Sequence, residues 1–219
     1  GSTAPVAGPE RPGLGRRHRV CKEHDLPHTQ RNPKHDNPVN KYSHGDSVYA
    51  AVVRRMPADN FPTFVSQVSQ PVLMAFSSKQ YRDMEDKDKQ RAKSTRFFTA
   101  ACFDELDCPK ADSPASTFGL ICIDIDTHNS AKNWLSDVED RIPWAHFVYH
   151  SLSSTETSAR IRIVIGCEQT PVEYYQRMTQ YMAEFLDVVI DTVSLSPRQA
   201  MYYPSMFSDS AVSPIIARG

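Results

Sequence analysis

The stretch "FGLICIDIDTH", residues 118–128, decides how the chain is read. Phe118, Leu120, Ile121, Ile123 and Ile125 have the apolar density of a buried strand. Side chains alternate faces along a strand, so Ile121, Ile123 and Ile125 share one face while Cys122, Asp124 and Asp126 share the other. Two carboxylates at i and i+2 on a largely buried strand lose hydration and repel each other, so something positive must compensate them. A divalent cation is the simplest candidate. The plainer account is that one aspartate caps the helix that follows.

Working outward, the pattern from 117 to 204 reads β-α-β-β-α-β. After strand 117–126 comes "NSAKNWLSDVEDRI", where Asn129 or Ser130 can cap a helix with Trp134, Leu135, Val138 and Ile142 as its stripe. "WAHFVYH" and "RIRIVIG" read as strands. Pro171 opens a helix whose buried stripe is Val172, Tyr175, Met178, Met182, Phe185, Leu186 and Val189. "RQAMYYPS" is a last strand. This is the order of a split βαβ, ferredoxin-like unit, hence an α+β domain with a mixed, partly antiparallel sheet flanked by helices. Upstream, residues 47–56 suggest a strand, "FPTFVSQVSQ" a short helix, "PVLMAF" a strand, the charged 78–96 segment a helix or helix pair, and "FFTAACF" a strand.

Three further features gather around the aspartates. Arg160 and Arg162 lie on one face of their strand, opposite Ile161, Ile163 and Ile165. A buried guanidinium needs an anionic partner, and its fork suits phosphate. The alternative is a structural lattice in which these arginines pair with Asp124 and Asp126. His150 and Ser151 end the preceding strand, and Asp191 follows the apolar run 188–190, trailed by Ser196 and Arg198. A third carboxylate can complete an oxygen-rich site for Mg²⁺ or Mn²⁺, with room left for substrate phosphates. The bland reading of Asp191 is a turn residue.

The ordered series of an hhhDhD strand, a helix, an apolar-Tyr-x-Ser strand, an Arg-x-Arg strand, a helix and "D…S-x-R…Y-x-P-S" resembles the archaeo-eukaryotic primase superfamily. It is most similar to the primase-polymerase branch of plasmid, phage and mobile-element replication proteins. The likeness covers roughly residues 90–207. It implies an RRM-like catalytic core and a nucleotidyltransferase that adds nucleotides to a 3′-hydroxyl during DNA replication. It makes Asp124, Asp126 and Asp191 the acids for two divalent ions. It places His150, Ser151, Arg160, Arg162, Ser196 and Arg198 around the nucleotide, and Lys93 and Arg96 near the template or triphosphate. Ribo- or deoxynucleoside triphosphates and a single-stranded DNA template are the implied partners, with a helicase domain or protein outside the chain. The usual Ser-x-His of the second motif is missing: the strand reads Ser158-Ala159-Arg160-Ile161-Arg162. Arg160 or Arg162 can replace the imidazole, or His150 can reach in from the neighbouring strand. Two other classes remain open. One is a decayed nucleic-acid-binding or origin-recognition module, which would bind DNA without metal. The other is a metal-dependent nuclease, which would degrade DNA without nucleotides.

Composition narrows the field. The 219 residues suffice for one domain with a tail, and a net charge of −1 does not advertise nucleic-acid binding in bulk. Residues 1–44 carry eight Lys/Arg against four Asp/Glu and few large apolar side chains, which predicts a basic loop or extended arm, partly ordered against the body, before a globular domain over 45–219 that the resemblance makes catalytic. The opening Gly-Ser reads as a cloning scar and the chain as part of something longer. Cys21, His24, His28 and His35 have zinc-ligand chemistry, but their spacing matches no common finger, so zinc is not expected. Five scattered cysteines point to reduced thiols in an intracellular protein. No apolar run is long enough for a bilayer, and no P-loop for an ATPase motor is present.

Overall fold

The apolar run around Ile121 forms the strand that organises the molecule. The computed structural model describes residues 41–47, 52–58, 60–105, 107–109, 114–126, 138–155, 157–211 and 213–219. In chain order these form β1 (Lys41–Gly45), β2 (Val52–Pro57), α1 (Phe61–Val68), β3 (Val72–Leu73), α2 (Ser78–Asp83), α3 (Asp86–Ala92), β4 (Phe97–Thr99), β5 (Ala101–Phe103), β6 (Asp107–Pro109), β7 (Ala115–Ile125), α4 (Val138–Arg141), β8 (His146–His150), β9 (Ile161–Pro171), α5 (Tyr175–Phe185), β10 (Met201–Tyr202), β11 (Ser205–Met206) and β12 (Ile215–Arg218). Single 3₁₀ turns lie at Val172–Tyr174 and Thr192–Leu195.

The fold is α+β, as the sequence pattern predicts. The sheet that carries the site has the order β12-β8-β9-β7-β5. β9 runs antiparallel to both β7 and β8 and lies between them, which is the split βαβ arrangement. A second five-stranded sheet, β10-β4-β1-β2-β6, shares an apolar core with the first through Tyr42, Phe98 and Phe118. β3 and β11 form a short parallel pair. α1 is capped by Asn60, whose side chain accepts from the Thr63 amide, and it buries Phe61, Phe64, Val65 and Val68. Ser77 and Gln80 form a reciprocal capping box on α2. Among the described residues no helix is long and apolar enough to cross a membrane.

Several expectations are corrected. Lys41–His44, given by composition to the arm, lie in β1 at the centre of a sheet. "FFTAACF" splits into β4 and β5, which belong to different sheets. The strand expected to close the split βαβ, β10, pairs with β4 in the other sheet. Its place beside β7 is taken by β5, and β12 extends the site sheet beyond the predicted core limit of residue 207. Pro171 is the last residue of β9 and also the N-cap of the 3₁₀ turn Val172–Tyr174 that runs into α5, so the helical segment opens there as expected. On α5 the stripe is narrower than the sequence suggests: Tyr175, Met182 and Leu186 are buried, whereas Phe185 and Val189 are exposed. The expected helix at 129–142 is described only over Val138–Arg141, and the Cys21/His24/His28/His35 set lies outside the described residues.

β9 passes close to α1 at Gly166, opposite Leu120, where the β7–β9 register shifts. A Cβ there would stand 2.5 Å from Phe61 Cδ2, inside the core. Gly166→Ala is therefore expected to cost about 1–3 kcal/mol through overpacking. Urea unfolding measures this, and an unchanged midpoint would contradict the close approach.

Candidate functional site

β7 is longer than its partner β5, and this difference builds the site. β5 covers β7 only over Ala115–Phe118, so the outer edge of the strand beyond that point needs other hydrogen-bond partners. The Tyr175 hydroxyl serves Cys122, accepting from its amide at 3.3 Å and facing its carbonyl at 3.4 Å. One pair further on, the Asp124 amide donates to Ser194 Oγ at 2.9 Å and the Asp191 amide donates to the Asp124 carbonyl at 3.0 Å. The backbone of 191–194 is thus docked beside Asp124 because it completes the edge of β7.

Across the other edge, register places Asp124 opposite Arg162. Arg162 Nε lies 3.2 Å from Asp124 Oδ2, with both side chains about nine-tenths buried. Arg160 Nη1 lies 3.2 Å from Asp126 Oδ2, in a pair that is about two-fifths exposed. The two pairs differ in consequence: the outer one is solvent-screened and worth little, the inner one neutralises two buried charges. Arg162 also stacks over Tyr202, 5.6 Å from the ring centroid, and donates to the Tyr202 carbonyl. Asp124 Oδ1 is buried and has no hydrogen-bond partner among the described residues. Burial pushes the Asp124 carboxyl above the usual carboxylate range; Arg162 opposes the rise, and Asp126 and Asp191 add to it.

The other sequence candidates fall into two groups. Lys93, at the end of α3, joins Arg162, Tyr202 and Tyr203 in lining a small pocket. Burial lowers its pKa, and the nearby Arg160 and Arg162 lower it further. Ser151 lines the same pocket, its amide donating to the Arg160 carbonyl. His150 faces a larger neighbouring cleft, with Nδ1 2.9 Å from Ser154 Oγ. Arg96 packs over the Tyr203 ring at 5.1 Å, and Arg198 over Phe103 at 5.3 Å. Ser196 closes the 3₁₀ turn through its amide, and neither it nor Arg198 lines the two pockets. The Asp191 carboxylate caps that turn, accepting from the Val193 amide at 3.1 Å.

Sequence reasoning missed Ser194, Ser153, Ser205, Tyr81 and Arg82. Ser194 carries no signal beyond its nearness to Asp191. Tyr81 and Arg82 are hidden in a segment whose charge pattern is that of a solvated helix. The hydroxyl run 151–158 was the available clue to the cleft.

Among the described residues no three His, Cys, Asp or Glu side chains converge as a ready metal cage. Mg²⁺ needs less than a cage, since one or two carboxylates plus substrate phosphates commonly complete its shell. The unpartnered Asp124 Oδ1 beside Asp126 and Asp191 fits such a cation by donor chemistry.

The fold is thus an α+β sheet on which Asp124 and Asp126 face Arg162 and Arg160 across paired strands. Residues 30–214 match the VapE N-terminal domain family, and the chain belongs to that family. It is a domain of replication-related proteins of phages and plasmids. No curated protein and no solved structure was found to match the chain.

Proposed function

We propose that this domain is a primase-polymerase that transfers a nucleotidyl group to a primer 3′-hydroxyl under the direction of a single-stranded DNA template. The observation that carries the reading is the cross-strand set Asp124, Asp126, Arg160 and Arg162, with Lys93 beside it and Asp124 Oδ1 unpartnered among the described residues. Asp124, Asp126 and Asp191 would hold Mg²⁺ or Mn²⁺. When bound, the metal supplies charge neutralisation to the phosphates and acidity to the attacking hydroxyl. The chain's own part is positioning. Arg160, Arg162 and Lys93 are of the type and placement to hold a triphosphate. Arg162 is fixed by its stack on Tyr202, so little freedom is lost when it binds. The 3′-oxygen bonds to the α-phosphorus, the bond to pyrophosphate breaks, and the hydroxyl proton leaves to solvent or a nearby carboxylate.

A second reading has a specific observation in its favour. The carboxylates of Asp124 and Asp126 pair with arginines, and that of Asp191 caps its own turn. A decayed nucleic-acid-binding module would look like this. Primer extension on a single-stranded template, with Mg²⁺ or Mn²⁺ and ribo- or deoxynucleotides, separates the two. Nucleotide- and metal-dependent extension is expected. A folded protein that binds DNA and extends no primer under any of these conditions is the binding module.

A further inference from the structure

Beside the small pocket lies a cleft of about 920 Å³ that His150 and Ser151 enter from one side. The two are contiguous: Ser151, Leu152, Ser153 and Ser205 wall both. Arg82 and Lys89 line the large compartment, Lys93 and Arg162 the small one. No carboxylate is among the described residues lining either, although the whole chain has a net charge of −1. The rest of the large compartment is rich in hydroxyls, with half-buried Phe207 over Tyr81 at a centroid distance of 5.3 Å.

His150 adds an imidazole held in place through Nδ1. Ser154 Oγ accepts from the Arg160 amide at 3.0 Å and shares a hydrogen bond of 2.9 Å with His150 Nδ1, its direction set by the imidazole tautomer. Burial lowers the His150 pKa, which favours the neutral ring. Asp209, whose carboxyl feels the Arg82 charge, is engaged with the amide and hydroxyl of Ser78. Lys89 has Asp86 at 4.0 Å across one helical turn, an exposed and weak pair.

We infer that the paired compartments form a track for single-stranded nucleic acid, with Arg82, Lys89 and His150 holding backbone phosphates and Phe207 offering a face to a base. A cationic groove with aromatic and hydroxyl lining is the recurring solution for unspecific single-strand binding. Cationic lining that continues from one compartment into the other through shared walls favours a strand over one free nucleotide. The inference rests on the nucleotidyl-transfer reading only in making that strand the template.

The test is fluorescence anisotropy of a labelled oligothymidylate, without divalent metal or nucleotide, over a salt series. Arg82→Ala/Lys89→Ala is compared with Arg177→Ala, a surface charge on α5 outside both compartments. The double variant is expected to bind roughly tenfold more weakly near 0.1 M salt and to lower the salt slope by about 1.4, the value for two single-strand phosphate contacts. Arg177→Ala is expected to match the wild type. Arg82→Glu alone gives an independent reading and must also weaken binding. Equal affinities and slopes for the double variant and Arg177→Ala would overturn the track. So would unchanged oligonucleotide binding with lost nucleoside triphosphate binding, which would make the cleft a nucleotide pocket. Primer extension that fails while the track result holds would sink the polymerase reading alone.

Discussion

Asp124→Asn/Asp126→Asn is expected to lower primer extension by at least a hundredfold, on the order of what one removed transition-state charge partner costs an enzyme. Both carboxylates lie at the end of β7, and both face the arginines of β9. The double variant leaves Arg162 buried without its counter-charge, so lost activity there could reflect lost folding. Asp126→Asn removes that ambiguity. Its side chain is about two-fifths exposed and its pair with Arg160 is screened, so the fold is expected to be unaffected. Extension by this single variant should still fall by an order of magnitude or more, with an unchanged melting temperature. Full activity in Asp126→Asn would remove this carboxylate from the chemistry.

Arg162→Ala is expected to have the largest effect on stability. It strips the counter-charge from Asp124, removes the stack on Tyr202 and loses the bond to the Tyr202 carbonyl. Breaking a buried pair from one side costs about 3–5 kcal/mol. For a domain of this size that is a fall in Tm of roughly 10 °C. The deficit has a definite pH dependence. Burial already raises the Asp124 carboxyl, and removal of Arg162 raises it further. A folded-state pKa above the unfolded value of about 3.9 means that protonation favours the native state. The variant's deficit should therefore be fully expressed above the folded pKa and shrink as pH falls through it. Urea unfolding at pH 7 and pH 5 measures this. A deficit independent of pH would show that lost packing, not the stranded carboxylate, is the cause.

Much of this site was legible in the sequence, because strand alternation is a strong constraint. The period of two placed Asp124 with Asp126 and Arg160 with Arg162, and antiparallel pairing then brought the two sets together. Alternation alone leaves both the ion-pair lattice and a ligand site open. The structure draws the lattice. It also leaves Asp124 Oδ1 without a partner among the described residues, which alternation cannot reveal.

Less local features were not legible. Ser194 meets Asp124 only because β5 is short and leaves the edge of β7 to be completed from elsewhere. That depends on strand lengths in space, not on spacing along the chain. β10 carries the right β-pattern, but it pairs with β4 in the other sheet, and the edge of β7 is lined by β5 and then by the backbone of 191–194. The outward faces of Phe185 and Val189 show the limit of helical periodicity, since an apolar stripe does not state how wide its partner surface is. Arg82 and Lys89 sit among acids of the same segment, and only folding separates the charges that reach the cleft from those that face solvent.

The central claim is that the acids of β7 hold metal while the arginines of β9 hold a triphosphate. Calorimetric titration with a nucleoside triphosphate, with and without Mn²⁺, tests it most directly. Binding that requires Mn²⁺ in the wild type and is lost in Asp126→Asn is the predicted result. Binding of equal strength with and without Mn²⁺, unaffected by Asp126→Asn, would contradict it and leave Asp124 and Asp126 as partners of Arg162 and Arg160 alone.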